Sequence, residues 1–176
     1  MFIILEGIDC AGKTYVGEYL SKNISNCFFL KQLNIPKQST ASSIDSLKET
    51  YHIMLKFYRD LVAPFNGNLV VDRFFPSELV YSKIKRGYEA LEDPFYYLLE
   101  GEVKDLDHAL LYIHAPMSEV KKRMEFRGDS YIDFPQLEAL EYRYTKYLDR
   151  TTLNTFPIRS GSGEIKNFIQ EKGLDK

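Results

Sequence analysis

Gly7-Ile8-Asp9-Cys10-Ala11-Gly12-Lys13-Thr14 fills the pattern G-x-x-x-x-G-K-[ST] at every fixed position. An apolar stretch of strand length, Phe2–Glu6, leads into it, and Val16, Leu20 and Ile24 repeat every four residues behind it. Strand, glycine turn and amphipathic helix together make a loop whose backbone N–H groups can surround an anion at a helix N-terminus. Lys13 adds a point charge toward the outer phosphates of a nucleotide, and the Thr14 hydroxyl can ligate Mg²⁺. Gly7, Asp9, Cys10, Ala11, Gly12, Lys13 and Thr14 are therefore the candidate nucleotide contacts. Cys10 reads as a space-filler, because phosphoryl transfer needs no thiol.

Four further strand-length segments follow: Cys27–Gln32, Leu69–Asp72, Ala109–His114 and Thr155–Arg159. Most are nearly continuous in hydrophobicity, as strands covered on both faces are. Helix-length amphipathic stretches alternate with them, one carrying the stripe Leu137, Leu140, Tyr144, Tyr147 and Leu148. The pattern predicts an α/β fold with a five-stranded parallel sheet flanked by helices, and a site beyond the carboxyl ends of the strands. Residues 35–45 are the most polar stretch and read as a loop.

At 176 residues the chain fits one domain, 1–176, large enough to bury a core without staples. Lys and Arg total 23 against 25 Asp and Glu, so any phosphate-binding surface is local and no basic stripe favours nucleic acid. Two cysteines, Cys10 and Cys27, fit neither a disulfide framework nor a zinc site. The first residues carry no basic leader and no apolar run approaches a membrane span, which makes a soluble cytoplasmic protein the expectation.

Asp72-Arg73 ends the third strand and places a carboxylate beside a guanidinium at the functional rim. The first can order Mg²⁺ or its waters; the second can grip a phosphate bidentately. A GTPase base-reading motif is missing, since Thr145-Lys146-Tyr147-Leu148-Asp149 has the wrong spacing. Arg123 and Arg127 lie four apart on one helix face, and Gly128 stops that helix, so a lid over about 124–134 could bring both onto a transferring phosphoryl group. A solvated helix end is the plainer alternative. His52, His108 and His114 have no partner spacing for catalysis.

Glu6-Gly7-Ile8-Asp9-Cys10-Ala11-Gly12-Lys13-Thr14 resembles the E-G-x-D-x-x-G-K-[ST] loop of the thymidylate kinase family. Asp72-Arg73-Phe74-Phe75-Pro76-Ser77-Glu78-Leu79-Val80-Tyr81 is similar to that family's D-R-[YFH]-x-x-S-x-x-A-Y segment. Ala109–Pro116 with Met117–Arg127 resembles its fourth strand and arginine-bearing lid. The resemblance implies a P-loop NTPase fold, ATP as phosphoryl donor, Mg²⁺, and a nucleotide acceptor. It implies roles for Asp9 at the acceptor 3′-hydroxyl, Arg73 at its phosphate, Asp72 with Mg²⁺, and Ser77 and Tyr81 at its base or sugar. Arg59 stands near the place of the base-reading arginine, with Leu55 where the family has an aromatic. The family's acceptor motif after the second strand is absent, which leaves Lys31 or Lys37 as substitutes.

The expectation is thus transfer of the γ-phosphoryl of ATP to a deoxynucleoside monophosphate, dTMP or another pyrimidine, by Lys13, Asp9, Asp72, Arg73, Arg123 and Arg127. A deoxynucleoside kinase, a kinase for a modified base in DNA, and a nucleotide-dependent binding module stay open. A homodimer is implied by resemblance alone, and the compact chain would suit a viral or phage enzyme in a host cytoplasm.

Overall fold

The computed structural model describes residues 1–31, 41–87, 93–128 and 133–175. Five parallel strands form one sheet: β1 (Phe2–Glu6), β2 (Cys27–Leu30), β3 (Asn68–Asp72), β4 (His108–His114) and β5 (Thr155–Arg159). Their order is β2-β3-β1-β4-β5. The chain leaves β1 toward one side of the sheet and later crosses to the other, so the strand order reverses around β1. Ligands of open parallel sheets sit beyond the carboxyl ends of the strands at such a reversal.

The helices are α1 (Lys13–Asn23), α2 (Ala41–Phe57), α3 (Phe75–Arg86), α4 (Asp93–Lys104), α5 (Met117–Arg127), α6 (Phe134–Leu148) and α7 (Glu164–Glu171). All five residues of β1 and of β3 are buried, which explains the unbroken apolar runs Phe2 to Leu5 and Leu69 to Val71. β2 and β5 are edges and only half covered, with Phe28 and Leu30 exposed. An aromatic chain seats α3 and α4 against the sheet: Phe2 to Phe74 at 5.5 Å, Phe74 to Phe75 at 5.5 Å, and Phe75 to Tyr96 at 5.6 Å. Edge-on ring pairs of this kind add about 0.5–1.5 kcal/mol each beyond burial.

The sequence-based loop over 35–45 is corrected in part. Ala41 to Asp45 already belong to α2, while 35–40, with Lys37, fall outside the described residues. Of the expected lid, 129–132 also fall outside them. α5 does stop at Gly128, whose φ of 62° is a left-handed cap. His108 is structural, its ring bridging the Leu106 carbonyl (2.9 Å) and the Asn154 N–H (3.1 Å). Among the described residues, no helix is long and apolar enough to cross a membrane.

Candidate active site

β1 delivers the glycine loop to the carboxyl edge of the sheet. Gly7 turns the chain at φ 140°, where a Cβ would collide with the Ile113 carbonyl on β4. Gly12 sits at φ 107° against the Ser160 side chain and opens α1. Only glycine tolerates both the conformation and the close approach at these two points. Lys13 begins α1, and its ammonium donates to the loop's own carbonyls, Gly7 at 2.9 Å and Ile8 at 2.8 Å. Burial and repulsion from Arg73 pull its pKa down to about 8, against the attraction of Asp9, Asp72 and Glu6.

β3 lies beside β1 in parallel register, with Asp72 opposite Leu5. That pairing brings the Asp72 carboxylate to α1, where its Oδ2 accepts from the Thr14 hydroxyl at 3.4 Å. Its Oδ1 is buried and has no hydrogen-bond partner. A bare buried carboxylate oxygen beside a hydroxyl suits a hard, oxygen-seeking cation such as Mg²⁺. Among the described residues no three His, Cys, Asp or Glu side chains gather to hold a metal. A cation here would therefore complete its shell with water and nucleotide oxygens, as Mg²⁺ usually does.

Arg73 follows at φ 70°, a left-handed conformation that costs an ordinary residue about 1–2 kcal/mol. The turn swings its guanidinium under the loop. Nη2 donates to Asp9 Oδ1 at 2.6 Å and to the Tyr81 hydroxyl at 2.9 Å. Nη1 donates to the Gly7 carbonyl (3.2 Å), Ser77 Oγ (3.2 Å) and the Tyr144 hydroxyl (3.3 Å). The Tyr81 ring lies 4.4 Å below the guanidinium carbon, and its hydroxyl donates to Asp9 Oδ2 at 3.0 Å. Burial alone would raise the Asp9 pKa, but the Arg73 and Lys13 charges with the Tyr81 hydrogen bond hold it below the usual aspartate value.

Arg123 and Arg127 reach the same loop from α5. Arg123 Nη1 donates to the Cys10 (3.1 Å) and Ala11 (3.2 Å) carbonyls, and its Nη2 pairs with Glu119 at 3.0 Å. Arg127 Nη1 approaches Cys10 Sγ at 3.9 Å. Asp9, Lys13, Thr14, Asp72, Arg73 and Arg127 thus share one cleft of about 210 Å³.

Two of the expected substrate contacts are elsewhere. Arg59 lies in a π-helical turn, Tyr58–Val62, that follows α2 shortly before β3 begins, at the amino edge of the sheet. Its guanidinium pairs with Glu102 near the end of α4 at 2.9 Å, away from the cleft. The chain passes from α2 through this turn into the start of β3, so Arg59 precedes the strand whose carboxyl end carries Asp72 and Arg73. Ser77 faces the interior, buried, and donates to Glu6 Oε2 at 2.6 Å. Lys31 is spent on Glu18 of α1 at 3.4 Å. The residue that sequence reasoning overlooked is Glu6. It is fully buried, and burial pushes its pKa up despite the nearby Arg73 charge and three donors. A charged residue ending an apolar strand was the signal, because buried charges need partners.

No family model matches the chain. It is 29% identical over 170 residues to the SPbeta prophage-derived uncharacterized protein YorR of Bacillus subtilis (strain 168), covering 95% of each chain. The crystal structure of YorR from Bacillus subtilis in complex with phosphorylated GDP superposes with a TM-score of 0.75, at 26% identity over 99% of this chain and 96% of that one. Deoxyadenosine kinase from M. mycoides, with products dCMP and a flexible dCDP bound, gives 0.68 at 16% identity, over 98% and 99%. Thymidylate kinase from Candida albicans gives 0.57 at 13%, over 99% and 93%. The fold is that of the P-loop nucleotide kinases.

Proposed function

We propose that the chain transfers the γ-phosphoryl of ATP to a deoxynucleoside monophosphate, a pyrimidine such as dTMP foremost. The observation that carries this reading is the state of Asp9. Its two oxygens are taken by Arg73 (2.6 Å) and Tyr81 (3.0 Å), and neighbouring charges hold it ionised. A carboxylate so stabilised is a weak base, whereas a sugar hydroxyl acceptor needs a base and an anionic phosphate acceptor does not. Lys13, Arg73 and Arg127 meanwhile line one small cleft, which suits two phosphates meeting there.

In this mechanism Lys13 exchanges the Gly7 and Ile8 carbonyls for donor phosphate oxygens. Thr14 and Asp72 would hold Mg²⁺, which when bound neutralises charge on the donor. The acceptor phosphate takes the place of Asp9 at the Arg73 Nη2 edge, and Asp9 is left to receive the acceptor sugar hydroxyl. An acceptor phosphate oxygen bonds to the γ-phosphorus as the bond to the β–γ bridging oxygen breaks, and ADP leaves with the electron pair. Arg123 and Arg127 move from the loop to the transferring group and exclude water, so that the work is positioning and charge neutralisation.

The likeness to deoxyadenosine kinase favours a second reading, phosphorylation of a deoxynucleoside. The test is ADP release from MgATP with each common deoxynucleoside and deoxynucleoside monophosphate, alongside Lys13→Ala and Arg73→Ala. Stimulation by monophosphates that both variants lose supports the proposal. Stimulation by nucleosides alone supports the second reading.

A further inference from the structure

We infer that Glu6 positions Arg73 through the hydroxyls of Ser77 and Tyr144, dividing the guanidinium into a fixed edge and an exchangeable edge. The inference rests on the proposed role of Arg73 at an acceptor phosphate.

Glu6 ends β1 with no exposed surface. A carboxylate taken out of water is costly unless donors meet it, and three do. The Phe74 N–H donates to Oε1 at 2.9 Å, and the Ser77 and Tyr144 hydroxyls donate to Oε2 at 2.6 and 2.7 Å. Each hydroxyl has a single proton, and Glu6 claims both. The oxygens of Ser77 and Tyr144 therefore turn only lone pairs toward Arg73 Nη1, which donates to them at 3.2 and 3.3 Å. With the Gly7 carbonyl at 3.2 Å, Nη1 is held by three acceptors. Ser77 and Tyr144 are buried, so no ligand competes for that edge.

The other edge differs. Nη2 meets Asp9 and Tyr81, and Asp9 is about a third exposed in the cleft. A phosphate can replace Asp9 there while the Nη1 edge keeps the guanidinium plane in place. Glu6 also clamps the backbone: its bond to the Phe74 N–H fixes the turn that follows the left-handed Arg73. Glu6 comes from β1, Arg73 from the end of β3, Ser77 from α3 and Tyr144 from α6. Four elements thus converge on one side chain, and Tyr144 does so from the helix that follows the arginine-bearing α5.

Tyr144→Phe and Ser77→Ala, alone and combined, test this by steady-state kinetics with MgATP and varied dTMP. Each removes one hydroxyl, and Glu6→Gln, read by the same assay, removes the charge that orients both. The expected result is a rise of about tenfold in acceptor KM for each single variant, with kcat within about threefold. The KM for ATP stays unchanged. The double variant falls short of the product of the singles, because both hydroxyls act on one guanidinium nitrogen. An unchanged acceptor KM in all variants, with only the unfolding temperature lowered, would make the network purely structural and overturn the inference. Loss of kcat at constant acceptor KM would overturn it too. If the wild-type chain phosphorylates no monophosphate, the proposed function itself fails and this inference with it. If the wild type works and the variants match it, the inference alone fails.

Discussion

Asp72 offers one carboxylate oxygen to the Thr14 hydroxyl at 3.4 Å and keeps the other buried without a partner. An unsatisfied buried oxygen costs about 1–3 kcal/mol, a cost that a bound cation removes. Chelation of divalent cations should abolish phosphoryl transfer. Asp72→Asn should raise the free Mg²⁺ needed for half-maximal rate by at least about tenfold, since it removes the carboxylate charge beside Thr14 that attracts the ion. Titration of rate against free Mg²⁺ checks both.

Arg73 is held at five points by a planar fork that a lysine does not copy. Arg73→Lys should lower kcat/KM for the acceptor by about a hundredfold or more while ATP affinity stays within a few-fold. Calorimetric ATP binding beside the kinetic assay separates the two effects.

Lys13, with a pKa near 8 in the folded chain against 10.5 when unfolded, links pH to two observables in opposite senses. Raising the pH through 8 neutralises the ammonium, so ATP affinity should fall. Between about pH 8 and pH 10 the unfolded chain binds more protons at this lysine than the folded one, so its contribution to stability rises with pH. Lys13→Met should flatten both trends. ATP titrations and chemical unfolding at pH 7, 8 and 9 measure them.

Arg59 and Glu102 form a half-exposed ion pair at the far edge of the sheet. Arg59→Ala should cost at most about 1 kcal/mol of stability and leave acceptor KM unchanged. A selective rise in acceptor KM would return this arginine to the site.

The sheet was legible because β1, β3 and β4 spell their burial almost without interruption, and the glycine loop because its spacing follows from backbone geometry. Phe2–Glu6 and Thr155–Arg159 carry the boundaries expected, and β3 and β4 begin one residue earlier than the sequence suggested. Arg59 and Ser77 were less legible for different reasons. The position of Arg59 depends on where a long helix ends relative to the sheet, which no local pattern records. Ser77 sits at a motif offset, but whether its hydroxyl meets substrate or protein is decided by Glu6 and Tyr144, residues remote in sequence. Tyr144 looked like one more member of an apolar stripe because the ring is buried and only the hydroxyl does polar work.

The most direct test of the central claim is the mass of the product formed from MgATP and an equimolar mixture of thymidine and dTMP. The proposed function predicts dTDP formed in step with ADP, with thymidine untouched. Conversion of thymidine to dTMP without dTDP, or ADP and free phosphate with neither acceptor consumed, would contradict it.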